Sequence, residues 1–313
     1  MNTSSAGFLV EVDGLRKQFG AVVAVRGLTL RIPKGGVFGL LGPNGSGKTT
    51  TIGLLLGLVK PTSGSMRLFG ADVRSSHLAA LHRIGAMVES PAFYPDLSGR
   101  ANLRFFQGIG NKGSDLGEVN RLLELVGLAD RADSRFRTYS LGMKQRLGIA
   151  YALLGQPELV FLDEPTNGLD PAGMAEVREL IAQLGKAGHT VVLSSHLLNE
   201  VEQVCDQVAI LSRGELIAQG HVRDLLSTQG SVRLKTTDDA RAAQILGALD
   251  WVTSVRSEEG GLVAVAAAER SGDLTRALSQ QQVFVTEMVP RRQSLESYFL
   301  EVTARDTAQA RAN

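Results

Sequence analysis

Gly36-Val37-Phe38-Gly39-Leu40-Leu41-Gly42-Pro43-Asn44-Gly45-Ser46-Gly47-Lys48-Thr49-Thr50 is the stretch on which the fold turns. Its first six residues form a short apolar run of the kind that fills a strand covered on both faces. Gly42 to Thr49 then match the pattern GxxxxGK[ST] in full, and a helical pattern continues through Leu58. Strand, glycine-rich loop and helix in that order specify a phosphate cradle. The glycines let backbone N–H groups turn inward around phosphate oxygens, Lys48 places a cation on the β and γ phosphates, and the Thr49 hydroxyl can ligate Mg2+. Gly42, Pro43, Asn44, Gly45, Ser46, Gly47, Lys48, Thr49 and Thr50 are therefore the candidate nucleotide-binding segment.

Downstream, Leu159-Val160-Phe161-Leu162-Asp163-Glu164 is a second apolar run, ending in two carboxylates. At the carboxyl end of a buried strand, Asp163 stands beside the phosphate loop, where it can hold Mg2+ through water. The adjacent Glu164 can polarise an attacking water as the base. A third buried strand is expected at Thr190 to Ser194, and helical stretches flank both strands. That layout predicts an α/β domain with a parallel sheet and crossover helices.

Upstream, Phe8 to Val12 and Val22 to Ile32 alternate like the strands of an antiparallel entry sheet. Residues from about 90 to 155 read as a helical insert, with helices over Ala101–Phe106, Glu118–Val126 and Leu141–Leu154. After about residue 222 the glycines thin out. A strand (Ser231–Lys235), a helix (Ala240–Leu249), two strands (Trp251–Val255, Leu262–Ala267), a helix (Leu274–Ser279) and a strand (Val283–Met288) are predicted there. This βαββαβ order suits a small ferredoxin-like α+β domain over residues 223–303. Leu295, Tyr298, Phe299 and Val302 lie at i, i+3, i+4 and i+7 on one face of a closing helix, and residues 304–313 read as a flexible tail.

Composition narrows the functional classes. Over 313 residues, 33 Lys and Arg nearly cancel 32 Asp and Glu, which disfavours a nucleic-acid partner. The single cysteine, Cys205, can form no internal disulfide, fits a reducing cytosol and reads as a small buried hydrophobe. No run approaches the roughly 18 to 20 apolar residues that a membrane-spanning helix needs. The N-terminus lacks the pattern of a secretion signal. The expectation is a cytoplasmic chain, held at the membrane only by another protein.

Three further segments complete a recognisable series. Tyr139-Ser140-Leu141-Gly142-Met143-Lys144-Gln145-Arg146 precedes a helix, Asn167-Gly168-Leu169-Asp170 follows the acidic pair, and His196 follows the strand TVVLS. With the phosphate loop and Asp163-Glu164, this series resembles the ATP-binding subunit of ABC transporters over residues 8 to about 222. The resemblance implies a signature motif at Ser140 and Gly142, a D-loop ending at Asp170, and a switch histidine at His196. It also implies an adenine-stacking aromatic at Phe19, ATP and Mg2+ as cofactors, and Lys48, Glu164 and His196 as the catalytic set. Two such cassettes pair head to tail around two nucleotides, with the signature of one facing the phosphate loop of the other. Ser140 suits that geometry as an N-cap that leaves the positive end of its helix free to meet a phosphate.

Two departures stand out. The signature reads YSLGM where LSGGQ is commoner, with Leu141 and Met143 in place of Gly and Gln. After Ile84–Val88 the chain has Glu89 where the family carries a Mg2+-binding, water-sensing Gln, which puts an added charge near the metal. Glu89, the following SPAFYPDLSGRANL and SLGMKQRLGIA are similar to the branch of bacterial exporters associated with bacitracin resistance and lantibiotic immunity. The resemblance implies integral membrane permease partners, a peripheral place on the inner face of the cytoplasmic membrane, and antibiotic export driven by ATP hydrolysis. The rival readings are a catalytically weak, nucleotide-sensing regulatory subunit and a soluble ABC ATPase outside transport.

Overall fold

A computed structural model describes residues 7–73, 79–89, 92–110, 115–227, 231–258, 260–266, 270–291 and 294–299. The chain divides into two compact units, Met1–Gly220 and His221–Asn313. Val302 and the tail 304–313 lie outside the described residues.

The first unit begins with two long strands, β1 (Phe8–Phe19) and β2 (Val22–Pro33), paired antiparallel with Phe19 opposite Val22 at the hairpin end. β4 (Ser63–Leu68) and the short β5 (Ala71–Asp72) extend this sheet in the order β2-β1-β4-β5. Between them lie β3 (Gly36–Leu41) and α1 (Lys48–Leu55). The helix ends three residues before Leu58, because Gly57 turns into the left-handed region at φ 71° and releases the chain.

β3 belongs to a second sheet of six strands, in the order β10-β9-β3-β8-β7-β6. Its members are β6 (Ile84–Met87), β7 (Leu159–Asp163), β8 (Thr190–Ser195), β9 (Gln207–Ser212) and β10 (Glu215–His221). The pairs β3/β8, β3/β9, β7/β8 and β6/β7 are parallel. Every residue of β7 and β8 is buried, as the unbroken apolar runs require of strands covered on both sides. Three of these strands, β6, β9 and β10, go beyond the sequence expectation. Val208, Ala209, Ile210 and Leu211 are an apolar run that fills β9, while β10 is only half-buried and carries no comparable pattern.

The helical insert consists of α2 (Gly99–Ile109), α3 (Leu116–Leu125) and α4 (Leu141–Ala152). Ser98 caps α2 by accepting from the Ala101 N–H, and Asp115 caps α3 by accepting from the Gly117 N–H. α5 (Pro171–Lys186) follows β7 with Asp170 as its cap and proline at its first position. α6 (Leu198–Val204) follows β8. One core joins the two sheets: Val12, Leu28 and Leu30 of the entry sheet pack with Phe38, Ile52 and Phe161. Each such side chain contributes about 1.5–3 kcal/mol on burial, and together they fix α1 and its loop against the strand ends.

The second unit opens with α7 (Val222–Ser227), followed by β11 (Ser231–Thr236), α8 (Asp239–Gly247), β12 (Ser254–Glu258), β13 (Gly261–Val265), α9 (Ser271–Gln280) and β14 (Val285–Arg291). Its sheet runs β12-β13-β11-β14 with antiparallel pairing throughout, the order of a ferredoxin-like sandwich. Val232, Leu234, Leu246, Leu262, Leu274 and Leu278 form its own core. β12 starts at Ser254 and not at Trp251. Trp251 and Val252 carry an apolar signal but spend it before the strand, Val252 being buried and the Trp251 ring lying 4.0 Å from the Arg270 guanidinium. Residues 295–299 are helical, with Leu295 fully buried.

Candidate nucleotide-binding and hydrolytic site

Parallel pairing brings the ends of β3, β8, β7 and β6 to one edge. Leu41 is in register with Ser195, Asp163 with Ser194, and Met87 with Leu162. The residues that follow these strands, Gly42 onward, His196, Glu164 and Glu89, therefore emerge along the same carboxyl-end crevice, where α/β sheets bind ligands.

The phosphate loop leaves β3 with Gly42 at φ 151°. A Cβ there would lie 2.3 Å from the Leu211 carbonyl oxygen, so only glycine lets the loop turn under β9. Gly47, at φ 102°, lies against β2, where a Cβ would stand 2.7 Å from the Ala24 carbonyl oxygen. The Ser46 N–H donates to the Pro43 carbonyl at 3.1 Å, which curls the loop, and the Thr51 N–H donates back to Gly47 to begin α1. Pro43, Asn44, Gly45 and Thr49 are exposed, Thr50 is half-buried and Ser46 is buried. The Ser46 hydroxyl has no hydrogen-bond partner among the described residues. A buried hydroxyl is costly without a partner, and a phosphate oxygen is the acceptor this cradle is shaped to receive.

Lys48 is 5% exposed. Its ammonium donates to the carbonyls of Gly42 at 2.8 Å and Pro43 at 3.3 Å, and stands 3.4 Å from Glu164 Oε1. Desolvating an ammonium this far demands such partners. Glu164 Oε2 lies 2.8 Å from His196 Nδ1, so the carboxylate is held between a cation and an imidazole. The backbone of Glu164 is left-handed, at φ 48°, a conformation costing a β-carbon-bearing residue roughly 1–2 kcal/mol. One step earlier, Asp163 Oδ1 accepts from the Thr49 hydroxyl at 3.3 Å and from the Ser194 hydroxyl. Thr49 and Asp163 together present hard oxygen donors at the mouth of the cradle. Among the described residues there is no cluster of three or more His, Cys, Asp or Glu that could hold a metal. A cation here would rely on Asp163, the Thr49 hydroxyl, at most one further carboxylate from the same edge, and the phosphates themselves, the habit of Mg2+ and not of a caged ion.

The structure brings Lys48, Thr49, Asp163, Glu164 and His196 together through the Lys48–Glu164 ion pair and through hydrogen bonds in which Ser194 joins Asp163 to Glu164. Ser140, Gly142 and Asp170 lie apart from that group and share one surface groove. Ser140 caps α4 by accepting from the Met143 N–H at 3.2 Å, and Asp170 caps α5 by accepting from the Gly173 N–H at 2.9 Å. A surface groove runs between these two helix starts, lined by Ser140, Leu141, Gly142, Gly168, Leu169 and Asp170. Leu141 is 46% exposed at its rim.

Phe19, 49% exposed, is at the tip of the β1–β2 hairpin, and the Lys17 ammonium lies 4.5 Å from its ring centre. β2 carries that tip alongside the loop, since Ala24 borders both Gly47 and Gly214. Glu89 is exposed, two residues past β6, with φ 61°. Ser194 is the member of the hydrolytic group that motif reading passes over. The doubled serine at the end of TVVLSS is the only trace of it in the sequence.

A glycine-lined cradle with a buried lysine, and across from it two consecutive carboxylates at a strand end, define a nucleoside triphosphatase. The profile of the ABC transporter family matches residues 25–167. The chain is 39% identical over 300 residues to the ABC transporter ATP-binding protein YdbJ of Bacillus subtilis, covering 94% of this chain and 95% of the relative. It is 35% identical to the bacitracin transport ATP-binding protein BcrA of Enterococcus faecalis, covering 93% and 95%. Among solved structures, cbiO1 of Clostridium perfringens, part of the cbiONQ transporter complex, superposes with a TM-score of 0.64 at 27% identity, covering 71% of this chain and 92% of that one. The chain belongs to the ATP-binding subunits of ABC transporters, which hydrolyse ATP and work with membrane permease components. No helix among the described residues is long and apolar enough to cross a membrane.

Proposed function

We propose that this chain is the Mg2+-dependent ATPase subunit of an exporter of an antimicrobial peptide or other antibiotic, docked on integral permease subunits at the inner face of the cytoplasmic membrane. The observation that carries the hydrolytic part is the Lys48–Glu164–His196 constellation set against Thr49 and Asp163. The export of an antibiotic rests on the similarity to the bacitracin transport protein along nearly the whole chain.

In this reading the phosphate loop from Gly42 to Thr50, through its N–H groups other than at Pro43, and the Lys48 ammonium bind the phosphates, and the exposed Phe19 ring stacks on adenine. Thr49 and Asp163, with Glu89 at the same edge, are the donors for Mg2+, which supplies charge neutralisation on the phosphates when bound. Glu164 draws a proton from the attacking water, and His196 fixes the Glu164 carboxylate in place. A second cassette, most simply a second copy, completes the site by presenting Ser140 and Gly142 at its α4 N-terminus and Asp170 beside them. Closure then passes to the permease through the segment from Glu89 to Tyr94.

The test is ATP hydrolysis by the purified chain with Mg2+ and with EDTA, followed by isolation of the tagged chain from membranes and identification of the integral subunit. Mg2+-dependent turnover with a co-isolated permease supports the reading. ATP binding without turnover in any partner's presence, which the acidic Glu89 makes worth testing, leaves a nucleotide sensor. Turnover with no membrane partner leaves a soluble ATPase.

A further inference from the structure

Ser194 ends β8 directly beside Asp163, its register partner on β7. Its side chain is fully buried and makes two bonds that use both capacities of a hydroxyl. The O–H donates to Asp163 Oδ1, and the oxygen accepts the backbone N–H of Glu164 at 2.9 Å. One atom thus holds the side chain of the first carboxylate and the main chain of the second. The neighbouring serine is differently employed, since Ser195 accepts from the Leu197 N–H at the start of α6.

Two consequences follow from this geometry. Thr49 and Ser194 both donate to Oδ1 of Asp163, which fixes the plane of the carboxylate and leaves Oδ2 with neither bond. The N–H of Glu164, in the left-handed conformation its residue adopts, finds its acceptor in Ser194 and not in a sheet ladder. Without that acceptor, a part-buried amide and a strained φ would both press the backbone toward another conformation, carrying the Glu164 carboxylate away from Lys48 and His196.

We propose that Ser194 is a positioning residue of the hydrolytic site, aiming the Asp163 carboxylate at the nucleotide-bound cation and holding Glu164 in its reactive backbone conformation. The inference rests on the roles given above to Asp163 and Glu164, and it deepens them. Ser194 itself touches no reacting atom.

The experiment uses the full chain carrying Ser194→Ala, Ser194→Thr or Ser194→Cys. ATP affinity is measured by equilibrium titration in Mg2+ and in EDTA, alongside the Mg2+ concentration that half-saturates ATPase activity and the melting temperature. Partners that orient a metal ligand are worth about 10–100-fold in metal affinity. Ser194→Ala is therefore expected to shrink the Mg2+-dependent gain in ATP affinity by roughly tenfold and to raise the half-saturating Mg2+ by a similar factor, while affinity in EDTA changes less than about twofold. Ser194→Thr, which keeps the hydroxyl on a residue suited to a strand, restores both values. If Ser194→Ala fails to fold, Ser194→Cys carries the test, since its weaker S–H donor predicts the same direction of shift with the shape retained.

An unchanged Mg2+ response with only a lowered melting temperature, or Ser194→Thr behaving like Ser194→Ala, overturns the assignment. A parent chain whose ATP affinity gains nothing from Mg2+ sinks instead the reading of Thr49 and Asp163 as cation donors.

Discussion

Glu164 and His196, which lie 32 positions apart in the chain, meet with Oε2 of the carboxylate 2.8 Å from Nδ1 of the imidazole. The other oxygen of the same carboxylate faces Lys48 Nζ at 3.4 Å. Both oxygens are thus oriented by groups from different strand ends.

Glu164→Gln keeps the shape of the side chain and removes its basicity. A positioned general base is worth about 10²–10⁴-fold, so turnover should fall by at least two orders of magnitude while ATP binding persists. Single-turnover hydrolysis with radiolabelled ATP, beside a direct binding titration, separates the two quantities. Wild-type turnover in this variant would remove Glu164 from the chemistry.

Gly42 and Gly45 both have positive φ, but they differ in surroundings. A Cβ on Gly42 meets the Leu211 carbonyl oxygen at 2.3 Å, whereas a Cβ on Gly45 meets nothing within 4 Å. Gly45→Ala should cost only the left-handed conformation, about 1–2 kcal/mol, and leave a measurable affinity for ATP. Gly42→Ala must displace backbone as well, so it should lose both more stability and nearly all nucleotide binding. Thermal denaturation with and without ATP orders the two variants, and the reverse order would contradict this account of the loop.

Asn102 of α2 is fully buried and clamps the segment before its own helix. Its side chain accepts from the Tyr94 N–H at 2.8 Å and donates to the carbonyls of Tyr94 at 3.1 Å and Ser98 at 3.0 Å. The two carbonyls keep the N–H groups of Leu97 and of residue 102 itself, so Asn102→Ala takes away the acceptor of the Tyr94 N–H above all, at about 1–3 kcal/mol where water cannot replace it. Faster hydrogen exchange at the Tyr94 amide, with slow exchange in β7 and β8 unchanged, is the expected signature. Protection at Tyr94 equal to that of the parent chain would show that the clamp does not hold the loop.

Legibility varied with the kind of signal each segment carries. β3, β7 and β8 stand out because strands buried on both faces need unbroken apolar runs, and Phe161 and Val192 supply them. β10 escapes notice because Glu215, Gln219 and His221 dilute its pattern: it is a half-buried edge strand with only Leu216 packed on the main core. Trp251 misleads because an aromatic residue can reach a core or a cation from a turn as readily as from a strand. In the site, Lys48 and Thr49 are legible from their spacing to the glycines, since one loop of fixed length positions them all.

The residues' own order determined the phosphate loop, the acidic pair and the helix caps at Ser140 and Asp170, because each is a local arrangement of backbone set by a few neighbouring side chains. Tertiary structure alone decided that Glu164 lies between Lys48 and His196, and that Ser194 holds Asp163 and Glu164 at once. Those contacts depend on which strands are neighbours and in what register. Register across a parallel sheet is fixed by the packing of whole layers, which no short stretch of sequence contains.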